Sequence, residues 1–478
     1  MHTSEKFIQY QTMRKNHWDG IACQLDHWNG WGGYYRGRLQ KVYQFHIPAG
    51  MNVLEIGCAR GDLLAALEPS RGVGIDLSFE MIERAKQRHP ALVFVQGDIH
   101  EIELDEKFDY IILSDLINDL WDVEAVFHKI RTWSKPSTRI ILNYYSRLWE
   151  WPLALAQKLH LAQRTLPQNW LSVEDVKNLL YLGKFEVIRE WEEVLAPLPL
   201  PLLSAFCNRF LVRLWPFRSL AMTAFTLARP IPETAPVTSA ASVSVVVPAR
   251  NEEGNIGQIF ERVPQMGSGT ELIFVEGHSK DNTYQTIQQE MQKHPEVKAK
   301  LLRQEGKGKG DAVRLGFANS SGDILMILDA DLTVPPEDLP RFYQAIHTGR
   351  GDFINGVRLV YPMEKQAMRF FNYIGNKCFS LLFSFLLSQP VKDTLCGTKV
   401  LWKKDYEKIA ANRSYFGDFD PFGDFDLLFG AAKMDLKIVD LPIRYAERTY
   451  GTTNIQRWKH GWLLLKMVVF AARRIKFI

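Results

Sequence analysis

Two aspartates separated by one small residue, Asp329 and Asp331, stand near the end of an apolar run, ILMILDADLTV, from Ile324 to Val334. Bounded by Gly322 and Pro335, the run reads as a buried strand. In extended backbone, positions two apart share a face, so both carboxylates can lean toward one hard cation. Such a cation neutralises a diphosphate and stabilises it as a leaving group. The plain alternative is a strand end with two solvated acids in a turn. Three neighbouring segments weigh against it. SVSVVVPARNEEGNIGQIF is a buried strand followed by a polar turn and a helix, ELIFVEGHSKDNTYQTI ends a strand on Glu276, Ser279 and Asp281, and KGKGDAVRLGFANSSGD supplies Lys307, Lys309 and flexible glycines. Paired acids, a Lys/Gly segment and carboxylates at successive strand ends form a coherent site for a nucleotide diphosphate and a cation.

A second set of candidate binding residues lies in the first half of the chain. The strand-like VLEIG carries Glu55 and runs into the turn Gly57-Cys-Ala-Arg-Gly61 and then a helix-like DLLAALE. Strand, glycine turn and helix let backbone N–H groups approach a ligand. Later apolar runs end in acids: GVGID in Asp76, LVFVQGD in Asp98 and FDYIILSD in Asp115. Asp76 follows the first glycine by about 20 residues, where a carboxylate can bind ribose hydroxyls. His100, Asp119, His128 and Asn143 are further polar candidates near the strand ends, each read more readily as structural or merely exposed.

The elements that must position both sets are alternating strands and helices, so the expected fold class is α/β with two doubly wound domains. A chain of 478 residues with 46% apolar residues has room for two or three globular domains. The formal net charge of +4 gives no general argument for nucleic-acid binding, and five scattered cysteines without a CxxC or His/Cys cluster favour a reduced compartment without structural zinc. No secretory signal and no uninterrupted membrane span are read, which places the protein in the cytoplasm with membrane contact only from the surface. Residues 1–228 are expected to form the first domain, the Pro/Thr/Ala/Ser-rich 229–242 a linker, 243–455 the second domain and 456–478 an amphipathic helix. Within the first domain, 145–180 reads as a Trp- and Leu-rich helical insertion, and KFEVIREWEEVL and SLAMTAFTLARP as its last two strands.

The order VLEIGCARG, VGIDLS, VQGDI and FDYIILSD resembles the class I S-adenosylmethionine-dependent methyltransferases along residues 52–145. The resemblance implies a Rossmann-like fold and S-adenosylmethionine as cofactor. It places the glycine turn at Gly57 and Gly61 beside the cofactor's amino-acid part, Asp76 on the ribose and Asp98 near the adenine, with Glu55 and Asp115 in the same cofactor-binding set. Ala59 stands where many members have a middle glycine, a departure that touches only the turn's shape. Methyl transfer needs chiefly alignment, so no fixed catalytic signature is expected, and O-methylation is favoured.

The set VVVPARNEE, VEGHSKDNT, GKGDA and LDADLTV resembles the family 2 glycosyltransferases of the GT-A fold over 243–455, in the branch of the dolichyl- and polyprenyl-phosphate sugar synthases. That resemblance implies a UDP- or GDP-linked sugar donor bordered by Pro248, Arg250, Glu252, Glu276, Asp281, Lys309 and Asp329. Asp329 and Asp331 become the motif for Mg²⁺ or Mn²⁺, and the acceptor a polyprenyl phosphate or a glycan. For a base, DFDPFGDFDLLFGAAK offers Asp418, Asp420, Asp424 and Asp426, with Asp426 preferred and Asp424 second; acids there can equally cap the helix. DTLCGTK, residues 393–399, resembles the acceptor-side loop. In ERTYGTTNI, Arg448 ahead of Gly451, Thr452 and Thr453 resembles the RxxGxS segment of those synthases, where an arginine fork suits phosphate oxygens.

Lys459, Lys466 and Arg473 recur seven apart on a C-terminal segment that is otherwise apolar, a stripe suited to an anionic lipid surface, with a core helix as the alternative. The combined expectation is a bifunctional enzyme, peripheral on the cytoplasmic face of the membrane, serving one glycan or glycolipid pathway. The alternative is a glycosyltransferase acting on glycan or protein hydroxyls, with the first domain a binding or scaffold module. The oligomeric state is left open.

Overall fold

The computed structural model describes residues 5–25, 32–159, 162, 164–233, 240–361, 370–413, 423–448, 450 and 457–477. The chain divides into two compact units, 1–231 and 232–476.

The first unit is built on strands β1 (Asn52–Ile56), β2 (Arg71–Asp76), β3 (Val93–Gln96), β4 (Phe108–Ser114), β5 (Ser134–Tyr145), β6 (Phe185–Glu193) and β7 (Thr223–Pro230). Its helices are α1 (Glu5–Leu25), α2 (Gly32–His46), α3 (Asp62–Ala66), α4 (Phe79–Arg88), α5 (Val123–Thr132), α6 (Glu150–Lys158), α7 (Val173–Leu182) and α8 (Leu203–Arg209). The sheet order is β3-β2-β1-β4-β5-β7-β6. All pairings are parallel except those of β7, which runs antiparallel to both β5 and β6. Both faces are covered: Leu54, Ile111, Phe127 and Phe185 lie in one core, Val53, Ile112, Ile141 and Phe225 in the other. Alternate residues of each strand thus enter different cores, which is why these strands read as unbroken apolar runs. The run read as linker begins inside β7, because Arg229 and Pro230 still pair with Glu186 and Phe185.

The second unit holds β8 (Val243–Ala249), β9 (Thr270–Glu276), β10 (Lys298–Arg303), β11 (Ile324–Ile327), β12 (Phe353–Val357), β13 (Lys399–Trp402) and β14 (Ile438–Pro442). Around them lie α9 (Ile256–Arg262), α10 (Thr283–Lys293), α11 (Lys309–Ala318), α12 (Leu339–His347), α13 (Phe370–Leu387), α14 (Lys403–Ala411), α15 (Asp424–Lys433) and α16 (Arg457–Ala471), the last continuing in a π-helical turn, Ala472–Lys476. Strand order is β10-β9-β8-β11-β13-β12-β14, with β13 antiparallel to both its neighbours.

Two readings change in detail. The strand carrying the paired aspartates stops at Ile327, and Asp329 and Asp331 sit in the turn beyond it, where Leu332 adopts φ 54° and donates its N–H to the Asp329 carbonyl. The carboxylates therefore owe their placement to a tight turn and not to one extended face. The C-terminal helix is also more embedded than a lipid-surface helix alone requires. Leu464, Met467, Ala471 and Ile475 are buried with Phe383, Phe425 and Phe429, while Trp462, Leu465, Lys466, Val469 and Arg473 face outward. No helix among the described residues is long and apolar enough to cross a membrane.

Candidate functional site

In the second unit the strand-end acids meet cations. Lys309, at the start of α11, places Nζ 2.6 Å from Asp329 Oδ1. Burial works against charge on Asp329, but the adjacent Lys309 ammonium outweighs it and holds the carboxyl below the usual carboxylate range. Asp331 accepts from Thr333 N–H and Oγ1 at 3.2 and 2.7 Å, and its other oxygen lies 2.6 Å from Arg448 Nη2. Arg448 also reaches Glu252 Oε1 at 3.0 Å. Burial pushes the Glu252 carboxyl up to about 7 against the pull of that arginine. Gly397 passes so close that a methyl group on it would overlap both the Asp329 carboxylate and the Lys309 amine. Lys399, buried in β13, donates to the Cys396 carbonyl and stands 4.0 Å from Asp424 Oδ1.

These contacts separate the two acids at the head of α15. Asp424 is buried near Lys399 and within the field felt by Lys309. Asp426 is instead 3.2 Å from Arg314 of α11. Glu276 is buried and accepts the Ser279 N–H at 2.5 Å, Asp281 accepts from Thr283, and Pro248 and Arg250 lie at the end of β8 with Arg250 exposed. His278 adopts φ 57° with its ring 3.3 Å from the Gly306 carbonyl. Asp418, Asp420, Gly451, Thr452 and Thr453 fall outside the described residues, as do the side chains of Lys459 and His460. The donor set fits a divalent cation: Asp331 offers a carboxylate fixed by its own turn, Lys309 holds Asp329 below the usual carboxylate range, and substrate oxygens would complete the shell. Among the described residues no three His, Cys, Asp or Glu side chains cluster as a ready-made metal site.

In the first unit Gly57 and Gly61 adopt φ 74° and 73°, as the turn between β1 and α3 requires. Asp76 Oδ2 accepts the Ala59 N–H at 2.8 Å and Oδ1 the Ser78 N–H at 2.9 Å. Burial raises its carboxyl to about 6, with both N–H groups opposing. Glu55 is buried and accepts the N–H of Leu64 in α3 at 3.0 Å. Asp98 pairs with His100 at 2.6 Å and accepts from Gln11 of α1 at 3.0 Å. Burial opposes its ionisation, but His100 outweighs that and lowers it. An anchored Asp76 beside a glycine turn with left-handed backbone at Gly57 and Gly61 fits a nucleoside-type cofactor.

Asp115 belongs to a different cluster. It has φ 52°, is contacted by Tyr35 Oη at 2.8 Å and by Asn143 Nδ2 at 2.5 Å, and is raised by burial to about 7 despite both donors. Tyr35 Oη also lies 3.2 Å from Thr223 Oγ1, and its ring stacks on Tyr145. His128 is exposed on α5, 3.7 Å from Glu124 and apart from this cluster. Sequence reasoning missed Tyr35 and Gln11, and read Gly397 and Lys399 only as part of the 393–399 loop without singling them out.

Two mixed α/β units with acids at the strand ends define a two-domain α/β architecture. Residues 47–192 match the family model described as Methyltransferase domain, and 244–410 match Glycosyl transferase family 2. The chain carries both domains and is an enzyme. It is 28% identical over 246 residues to a dolichol-phosphate mannosyltransferase of Pyrococcus furiosus, covering 49% of this chain and 67% of that protein. It is 31% identical over 216 residues to an undecaprenyl-phosphate 4-deoxy-4-formamido-L-arabinose transferase of Edwardsiella ictaluri, covering 44% of this chain and 62% of that one. The chain thus spans about two thirds of these relatives' length. A solved S-adenosylmethionine-dependent methyltransferase of Thermotoga maritima, described as a possible histamine N-methyltransferase, aligns with 45% of this chain and 98% of its own at 15% identity and a TM-score of 0.36.

Proposed function

We propose that the second domain transfers a sugar, with inversion, from a UDP- or GDP-linked donor to a polyprenyl phosphate at the cytoplasmic face of a membrane. The observation that carries this reading is the meeting of Asp331, Arg448 and Glu252 beside the Lys309–Asp329 pair. Two carboxylates suit Mg²⁺ or Mn²⁺, and two long cations suit phosphate oxygens. A bound divalent cation supplies charge neutralisation to the departing diphosphate. Lys309 holds Asp329 in the orientation and charge state that binding requires, and Arg448 is placed to pass from the carboxylates to phosphate. An acceptor phosphate is already an anion and needs no base; for a hydroxyl acceptor, Asp424 is better placed than Asp426, which is committed to Arg314. The outward face of α16, with Trp462, Leu465, Val469, Lys466 and Arg473, together with exposed Ile374, Leu381 and Leu382 of α13, supports peripheral contact with anionic lipid.

The first domain is read as an S-adenosylmethionine-dependent methyltransferase, acting by O-methylation in the same glycan or glycolipid pathway. Asp76 binds the ribose hydroxyls, Asp98 lies toward the adenine, and Gly57 and Gly61 admit the amino-acid part. Asp115 is placed to take a proton from a hydroxyl acceptor, its partners Tyr35 and Asn143 orienting it. The test is to supply labelled UDP- and GDP-sugars with polyprenyl phosphate and Mg²⁺ or Mn²⁺, and to follow label into organic solvent. Label recovered only in water-soluble glycan or protein contradicts the lipid acceptor.

A further inference from the structure

In the first unit, one stretch of surface has its polar side chains turned inward and its apolar ones outward. Around α8, Ser204 and Asn208 are 1% and 2% exposed, whereas Leu202, Leu203 and Phe206 are 88%, 55% and 51% exposed. The buried polar pair ties down the preceding loop. Asn208 Oδ1 accepts the N–H groups of Leu195 and Ala196 at 2.7 and 2.8 Å, and its Nδ2 donates to the Ala196 carbonyl and to Tyr34 Oη. Ser204 accepts from Leu200 N–H and donates to the Leu198 carbonyl. The apolar display is therefore built by specific hydrogen bonds, where a water-facing helix would place its apolar stripe on the core.

A second segment joins it. Helix α6 buries none of its side chains, and Leu148, Trp151 and Leu155 are 61%, 81% and 58% exposed. A helix this short is marginal in water without a packed face. The Trp149 indole N–H donates to the Leu220 carbonyl at 2.9 Å, placing α6 beside the far end of the α8 segment, where Trp215 and Leu220 are also exposed. Charge is one-sided: residues 147–165 and 194–222 contain the exposed Arg147, Lys158, Arg164 and Arg218, and their single carboxylate is Glu150. The two segments adjoin the Asp115 cluster. Tyr145 leads directly into the first, and the second runs into Thr223, whose hydroxyl lies against Tyr35.

We infer that the face formed by α6 and residues 198–220 is a second lipid-binding surface, by which the methyltransferase unit rests on an anionic bilayer. Separate projecting Leu, Trp and Phe side chains enter the headgroup boundary, and the basic residues around them meet anionic headgroups. The inference about this face holds whether or not methyl transfer is established. It brings the Asp115 cluster to the bilayer, so a methyl acceptor anchored in lipid can reach it without leaving the membrane.

The test uses the full chain and vesicles of phosphatidylcholine with and without phosphatidylglycerol, read by co-sedimentation. The variant Trp151→Ser/Leu155→Ser/Leu202→Ser/Trp215→Ser is compared with Trp462→Ser/Leu465→Ser on α16. The inference predicts that the first variant partitions at least about tenfold more weakly onto the anionic vesicles, with S-adenosylmethionine binding and sugar transfer in detergent unchanged. Adding the α16 changes lowers partitioning further. Wild-type partitioning by the first variant overturns the inference. So does a wild-type dimer that the same changes convert to monomer without altering vesicle binding, which makes a second copy the occupant. Loss of S-adenosylmethionine binding by wild type would count against the methyltransferase reading alone.

Discussion

The Arg448 guanidinium lies 2.6 Å from Asp331 and 3.0 Å from Glu252, where its positive charge stands beside the carboxylate expected to hold a divalent cation. On the proposed function, arginine and cation would compete for Asp331 until a diphosphate gave the arginine another partner. Arg448→Ala should therefore tighten Mn²⁺ binding severalfold in the absence of donor, as measured by electron paramagnetic resonance titration. The same change should lower sugar transfer by roughly 10²-fold, because a positioned donor to the leaving group is lost.

Gly397 is a steric gate on the same acids. A side chain there would meet the Asp329 carboxylate and the Lys309 amine, displacing the pair that holds the site. Gly397→Ala should leave the protein folded by circular dichroism and reduce transfer by at least about tenfold, the scale of a small misplacement at a reacting centre.

Stability in the second unit leans on Arg358 and Asp393, an ion pair at 2.7 Å with Asp393 fully buried. Burial alone would raise the Asp393 carboxyl; Arg358 outweighs it and holds the group at about 2. Arg358→Met strands that charge and should cost about 3–5 kcal/mol in urea denaturation. Replacing both partners with apolar residues should cost less than Arg358→Met alone.

In the first unit, pH acts through Asp115 together with the other carboxyls that burial raises, Glu55 and Asp76. Burial raises the folded Asp115 carboxyl to about 7, against about 3.9 in an unfolded chain. Below about pH 4 both states hold the proton and the group's contribution is at its most favourable. As pH rises the unfolded chain releases its proton first, so stability should fall between about pH 4 and about pH 7 and then level off. Asp115→Asn should flatten part of that fall, read as the urea midpoint of the transition that S-adenosylmethionine shifts. Asp76, raised to about 6, leaves a remainder of the same sign.

What was legible in the sequence depended on local order. VLEIGCARG and ILMILDADLTV each compress a buried strand and a polar turn into a few residues, so both sheets and the acids at their ends could be placed from pattern. The neighbours that decide what those acids do come from far along the chain. Tyr35 reaches Asp115, Gln11 reaches Asp98, and Arg448 reaches Asp331, none at a helical or strand period. Asp424 and Asp426 look equivalent in sequence, and only packing against Lys399 and Arg314 tells them apart. The antiparallel β7 and β13 were equally hidden, since apolar runs carry no strand direction. Pattern alone leaves the apolar, arginine-bearing 198–220 stretch open between docking on another domain and touching lipid, and the burial of Ser204 and Asn208 shows which of its side chains face outward.

The most direct measurement is sugar transfer to polyprenyl phosphate by wild type and Asp331→Ala, each with and without Mn²⁺ or Mg²⁺. S-adenosylmethionine binding by both proteins serves as the control for folding. Label in the lipid that requires the cation and falls at least about 10²-fold in Asp331→Ala, with cofactor binding intact, is the predicted result. Transfer that proceeds equally without cation, or undiminished in Asp331→Ala, would contradict it.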